Sequence, residues 1–202
     1  MTSNIILAGV GGQGILSIAN VIGIAALKDN LFLKQAEVHG MSQRGGDVQS
    51  NLRISDKPIS SDLIPFGKAD IIISMEPMES LRYMPYLSKT GWIVTNTNPF
   101  INIQNYPDIK EVMQELEKID NLIAFDMDKV AKEVGSPRSS NMVLLGASSP
   151  FVGLPLDLVE SGIKDFFSSK GEKISNLNID AFRAGREISI NFLKEKNITM
   201  AL

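Results

Sequence analysis

Apolar positions along the 202-residue chain switch repeatedly between a strand-like and a helix-like period. Residues 4–8 form an apolar run that enters a turn at Gly9, and residues 15–27 read as a helix apolar on most of its faces. Small residues at Ala19, Gly23 and Ala26 let that helix lie close against a sheet. Residues 31–38 read as a second strand and 48–54 as a third, with Val48, Ser50, Leu52 and Ile54 sharing one face. Residues 69–75 are a short continuous apolar run, the pattern of a strand covered on both sides, and 91–96 and 121–126 are of the same kind. Helical patterns fall at 77–87, 108–118, 127–134, 140–147, 156–167 and 179–194. Pro77 suits the first turn of its helix.

Strands alternating with helices predict an α/β fold, a Rossmann-like three-layer sandwich around a mostly parallel sheet, with residues 1–202 as one domain. Ligands of such sheets bind outside the carboxyl ends of the strands. The loops beginning at Gly9, His39, Glu76, Thr97 and Asp126 are therefore expected on one rim.

Composition narrows the function. A net charge of -3 gives no footprint for nucleic acid. The absence of cysteine excludes disulfides, thiol catalysis and any cysteine-held zinc or iron–sulfur cluster within this chain. One histidine and scattered carboxylates form no metal-ligand pattern. The stretch 15–27 is interrupted by Ser17, Asn20 and Gly23 and is too short to span a bilayer. With no basic leader before the glycine turn, the expectation is a soluble cytoplasmic protein.

Gly9, Gly11 and Gly14 match G-x-G-x-x-G, with Gly12 as an extra glycine and Gln13 between. Between a strand and a helix, such a turn lets the backbone approach a phosphate, and the helix start offers free N–H groups. A dinucleotide site also wants an acidic residue ending the second strand, and Glu37 lies near that place. The alternative is that these glycines only permit tight packing of helix on strand.

The segment from His39 through Ser42, Gln43 and Arg44 to Gly45 and Gly46 is the more unusual one. Glycines on both sides expose backbone amides, and Arg44 can fork onto a phosphate or carboxylate, or pair with Asp47 or Glu37. His39 is the sole histidine, so any histidine-dependent proton transfer must use it; a hydrogen-bonded rim residue is the simpler role.

Other polar groups have plainer readings. Glu76, Glu79 and Arg82 fall near one helical face, as a solvated surface or a complement to the helix dipole. Asp126 and Asp128 read as caps of the following helix. Gly146-Ala147-Ser148-Ser149-Pro150 has proline where a hydrolase nucleophile elbow needs glycine. Asn141 with Leu144 to Ala147 suits close packing, either inside the chain or against a partner.

Gly9-Val10-Gly11-Gly12-Gln13-Gly14 followed by Ala36-Glu37-Val38-His39-Gly40-Met41-Ser42-Gln43-Arg44-Gly45-Gly46 resembles the gamma-type subunits of the 2-oxoacid:ferredoxin oxidoreductases. The form from His39 to Gly46 is most similar to the indolepyruvate type, whose small chain is its beta subunit. Further segments that look like the family surround Ile72, Asn141 and Phe182, so the resemblance covers nearly the whole chain.

The resemblance implies an oxidative decarboxylation in which an arylpyruvate and coenzyme A give an acyl-CoA, carbon dioxide and reduced ferredoxin. It places thiamine diphosphate and iron–sulfur clusters in a larger, cysteine-containing partner subunit, leaving no cofactor to this chain alone. By the same resemblance Gly9, Gly11, Gly12, Gln13 and Gly14 meet coenzyme A at a shared site, while His39, Ser42, Gln43, Arg44, Gly45 and Gly46 face substrate or the partner. A self-contained NAD(P)-dependent oxidoreductase and a non-catalytic scaffold are the competing readings.

Overall fold

The computed structural model describes residues 1–39, 45–101 and 103–199, with His39 described through its backbone alone. The opening apolar run becomes β1 (Thr2–Val10), and the glycine turn leads into α1 (Ile15–Lys28). Two long strands follow, β2 (Phe32–His39) and β3 (Asp47–Ser55), then β4 (Ala69–Ser74) and the short α2 (Pro77–Arg82). The chain continues through β5 (Leu87–Asn96), α3 (Ile109–Leu116), β6 (Leu122–Phe125) and α4 (Met127–Glu133). Three helices close it: α5 (Ser140–Val152), α6 (Leu156–Phe167) and α7 (Glu172–Glu195).

The strands form one sheet in the order β2-β3-β1-β4-β5-β6. The pairs β1–β4, β4–β5 and β5–β6 are parallel, while β3 runs antiparallel to both β1 and β2. Five strands therefore share one direction and β3 alone opposes them.

Period-2 alternation splits the sheet's side chains between two cores. Ile5, Leu7, Ile71, Ile73, Trp92 and Val94 face the larger layer of α1, α4, α5, α6 and α7. Ile6, Ala8, Ile72 and Ile93 face a thinner layer containing Ile64, Tyr83, Tyr86 and Ile119. The result is the expected three-layer α/β sandwich.

Element bounds depart from the sequence reading in several places, among them β5, which starts at Leu87 rather than at residue 91. The helix expected over 77–87 ends at Arg82, and a 3₁₀ turn (Met84–Tyr86) follows. Pro85 lacks an N–H and disfavours helical geometry in the residue before it. Helix α5 continues past Ala147 through Pro150 to Val152. There the hydroxyl of Ser149 donates to the Gly146 carbonyl at 2.7 Å, the acceptor that residue 150 would serve if it had an N–H. Helix α7 begins at Glu172, earlier than its apolar stripe, because the residues it buries in its first turns, Ser175 and Asn178, are polar.

Candidate functional site

Because β1, β2, β4, β5 and β6 run the same way, their carboxyl ends share one rim, where β3 begins. The chain leaves β1 toward β2 and β3 on one side and returns to β4 on the other. A doubly wound sheet opens a crevice at such a switch point, here between β1 and β4.

The glycine turn is held from inside. The N–H of Val10 donates to Gln13 Oε1 at 2.7 Å, and Gln13 Nε2 donates to the Met75 carbonyl at 3.3 Å. Gln13 thus bridges the ends of β1 and β4, with both halves of its amide engaged. A Cβ on Gly9 would lie 2.7 Å from Ile15 Cδ1 and 3.0 Å from Met75 Cβ, so glycine there lets α1 start directly against the sheet. Gly12 has φ +103° with open space around it. Gly14 caps α1 in a left-handed conformation, and Asn141 Nδ2 donates to its carbonyl at 3.2 Å, tying the turn to α5.

The other glycine loop meets this turn: the N–H of Gly11 donates to the Gly46 carbonyl at 2.9 Å. The backbone of His39 pairs with Val48 at the start of β3. Ser42, Gln43 and Arg44 lie outside the described residues, so the candidates of this loop that the structure places are Gly45, Gly46 and the His39 backbone.

Beside the turn lies a cleft of about 340 Å³, walled by Gly12, Gly14, Asn98, Phe100, Arg138 and Asn141 among others. No N-cap side chain bonds the first turn of α1 or of α5, although Asn141 Oδ1 accepts from the N–H of Met142 at 3.0 Å, and residues at both helix starts line this cleft. Two helix N-termini, each with its partial positive charge, therefore meet at this cleft. Arg138 at its edge is exposed. Across the cleft, Asn96 and Asn98 donate to Asp128 at 3.3 and 3.2 Å, and Asn98 also donates to Asp126 at 2.8 Å. Asp126 caps α4 through the N–H of Lys129 at 2.8 Å, as expected. The two helix starts suit an anion resting on the turn, while the Asp128 carboxylate that also lines the cleft opposes one on its own side.

The two glutamates at the start of α2 are not part of a solvated face, although Arg82 is exposed. Glu76 is 0% and Glu79 1% exposed. Glu76 caps α2 through the N–H of Glu79 at 2.9 Å and accepts from the Tyr106 hydroxyl and, at 3.4 Å, from the N–H of Phe100. It pins Phe100 and Tyr106 over the rim, while desolvation keeps the Tyr106 hydroxyl protonated well past its ordinary range. Glu79 takes Arg82 in a fork at 2.8 and 3.3 Å, yet burial still pushes its carboxyl pKa up. The dipole complement held and the exposed surface did not.

Glu37 does not occupy a ribose position. It pairs with Ser50 on β3, which pairs in turn with Leu7 on β1, so a whole strand stands between it and the glycine turn. Two strand spacings, about 10 Å, separate β2 from β1. Arg138, Asn96 and Asn98 were not among the sequence candidates. Position at the carboxyl end of a strand was the available signal for the asparagines, and Arg138 carried none. Among the described residues no group of three or more His, Asp or Glu side chains can hold a metal ion, and no helix is long and apolar enough to cross a membrane.

Residues 4–188 match the family described as pyruvate ferredoxin/flavodoxin oxidoreductase. The indolepyruvate oxidoreductase subunit IorB of Pyrococcus horikoshii is 40% identical over 191 residues, covering 90% of this chain and 93% of that protein. The gamma subunit of a keto/oxoacid ferredoxin oxidoreductase from Geobacter sulfurreducens superposes with a TM-score of 0.66 at 25% identity, covering 94% of this chain and 99% of that one. A 2-oxoglutarate:ferredoxin oxidoreductase from Magnetococcus marinus, solved with 2-oxoglutarate, coenzyme A and succinyl-CoA bound, shares the fold. Its TM-score is 0.73 at 23% identity, and this chain, 99% covered, spans 32% of its length.

Proposed function

Since this chain belongs to the pyruvate ferredoxin/flavodoxin oxidoreductase family, we propose that it is the cluster-free small subunit of an arylpyruvate:ferredoxin oxidoreductase, with indolepyruvate as substrate. With a larger partner in the cytoplasm it converts the oxoacid and coenzyme A to acyl-CoA and carbon dioxide, and two electrons leave to ferredoxin. Thiamine diphosphate in the partner supplies the carbanion stabilisation that decarboxylation needs. Having no cysteine, this chain holds none of the clusters.

The observation that carries its own role is the convergence of the α1 and α5 starts, the Gly12 backbone and Arg138 on one cleft at the switch point. That arrangement favours a phosphate group of coenzyme A. The turn orients the nucleotide end while the thiol end extends toward the partner. Gly46, tied to the turn through Gly11, lies on the partner side of the shared cavity. Reading the glycine turn as an NAD(P) site loses its acidic ribose partner, because β3 separates Glu37 from it.

The test is reconstitution with the co-purifying large subunit. Ferredoxin reduction should require both chains, run fastest on indolepyruvate, and show a higher KM for coenzyme A in Arg138→Gln with the oxoacid KM unmoved. Full activity without this chain, a preference for pyruvate, or an unchanged coenzyme A KM would each sink the corresponding part of the reading.

A further inference from the structure

Away from the rim, at the far end of α5, lies a second cavity of about 500 Å³ walled by Ser149, Pro150, Leu154, Pro155, Leu156 and Arg186. Its one cation is Arg186, partly buried on α7. Only Nη1 of its guanidinium has an acceptor among the described residues, the Ser149 hydroxyl at 2.8 Å. Desolvation alone perturbs it, pushing its pKa down with no acidic group opposing. A guanidinium taken from water into largely apolar surroundings is costly unless an anion meets it.

The same helix shows what that fork does when it has a partner. One turn earlier, Arg183 grips both oxygens of Glu160 through Nε and Nη2, each at 2.7 Å. Arg82 meets Glu79 through the same edge. In Arg186 the Nε–Nη2 edge has no acceptor among the described residues. Ser149 holds the group in place from the other side, being itself fixed by its bond to the Gly146 carbonyl.

We propose that the Arg186 cavity is a carboxylate-binding site, taking a monoanionic carboxylate on an apolar body. The planar fork matches a carboxylate two atoms to two. Proline and leucine walls suit the apolar remainder of the ligand. A phosphate dianion fits poorly, because one guanidinium and one hydroxyl leave most of its acceptors unmet. The carboxylate comes either from a free small acid or from an Asp or Glu of the larger subunit. The inference does not depend on the reaction proposed above, since its readout is binding.

The test titrates the full chain calorimetrically with phenylacetate and with inorganic phosphate, then measures assembly with the large subunit for the wild type, Arg186→Gln and Arg186→Met. Saturable phenylacetate binding, weakened at least tenfold in either variant, supports the site with a small acid as occupant. No binding by the free chain, joined to assembly weakened about tenfold in both variants, supports it with the partner's carboxylate as occupant. Phosphate bound in preference to phenylacetate overturns it, as does the absence of phenylacetate binding together with unchanged assembly. The wild-type titration needs no variant to fold, and Arg186→Met keeps an unbranched aliphatic stem at that position.

Discussion

Gly146 and Gly185 face each other's helices: a Cβ on Gly146 would lie 1.8 Å from the Phe182 carbonyl oxygen, and one on Gly185 1.9 Å from that of Val143. Helices α5 and α7 therefore touch backbone to backbone, and the small-residue stripe near Asn141 serves packing within the chain. Alanine at either site must push the helices apart. Each substitution is expected to cost about 1–3 kcal/mol or more, the range for overpacking, read as a lowered midpoint in urea. The double variant should cost less than the sum, because one displacement relieves both clashes.

The glycine turn separates packing from ligand contact residue by residue. Gly9→Ala should destabilise the fold, since its Cβ meets Ile15 and Met75 at 3.0 Å or closer. Gly12→Ala meets nothing within 4 Å and carries only the strain of φ +103°, about 1–3 kcal/mol. In the reconstituted complex Gly12→Ala should raise the coenzyme A KM more than it lowers stability, and Gly9→Ala the reverse. Parallel thermal melts and kinetics decide it.

Arg138 is exposed and makes no ion pair among the described residues, so its removal should leave the melting temperature unmoved. If it meets a phosphate, Arg138→Gln costs about 1.5–3 kcal/mol of binding, roughly 10- to 100-fold in the coenzyme A KM. The gap between variant and wild type should narrow as salt is raised. An effect independent of salt would point away from a charge contact.

Glu79 sets a sign for pH dependence. Its folded pKa is raised, with burial as the largest cause. Its contribution is then fully present below the unfolded pKa, about 4.3, and declines as pH rises through the raised folded value. Urea midpoints of the wild type minus those of Glu79→Gln should therefore fall between about pH 4 and neutrality. Glu160 works the other way: Arg183 holds its carboxyl low, so its stabilisation is lost as pH falls.

Glu37→Ala should leave the chain's response to NADH unaltered, and that response should be no saturable binding. A fluorescence titration reads it directly. Saturable micromolar binding, weakened by the substitution, would restore the dinucleotide reading despite the intervening strand.

The layers were legible because burial imposes its period on the residues: Ile71, Ile72 and Ile73 run apolar since both sheet faces are covered. The rim was legible too, since parallel strands must end together. The place of β3 between β1 and β2 was not, because alternation at Val48 and Leu52 sets which face a residue takes but not which neighbour it pairs with. Burial of Glu76 escaped for a similar reason, its partner Tyr106 arriving from a distant loop. Asn141 was noticed for packing while its amide bond to Gly14, across 127 positions, could be seen only in three dimensions.

Trp92, the chain's one tryptophan, lies on β5 with its ring 4.4 Å from that of Phe151 on α5 and edge-on to Phe192 on α7. The protein thus carries a single tryptophan as a built-in optical probe, seated where α5 and α7 dock on the sheet. Its emission should follow that docking and stay silent to events at the glycine turn. Fluorescence can then tell a variant that has lost its helical layer from one that has lost only its ligand.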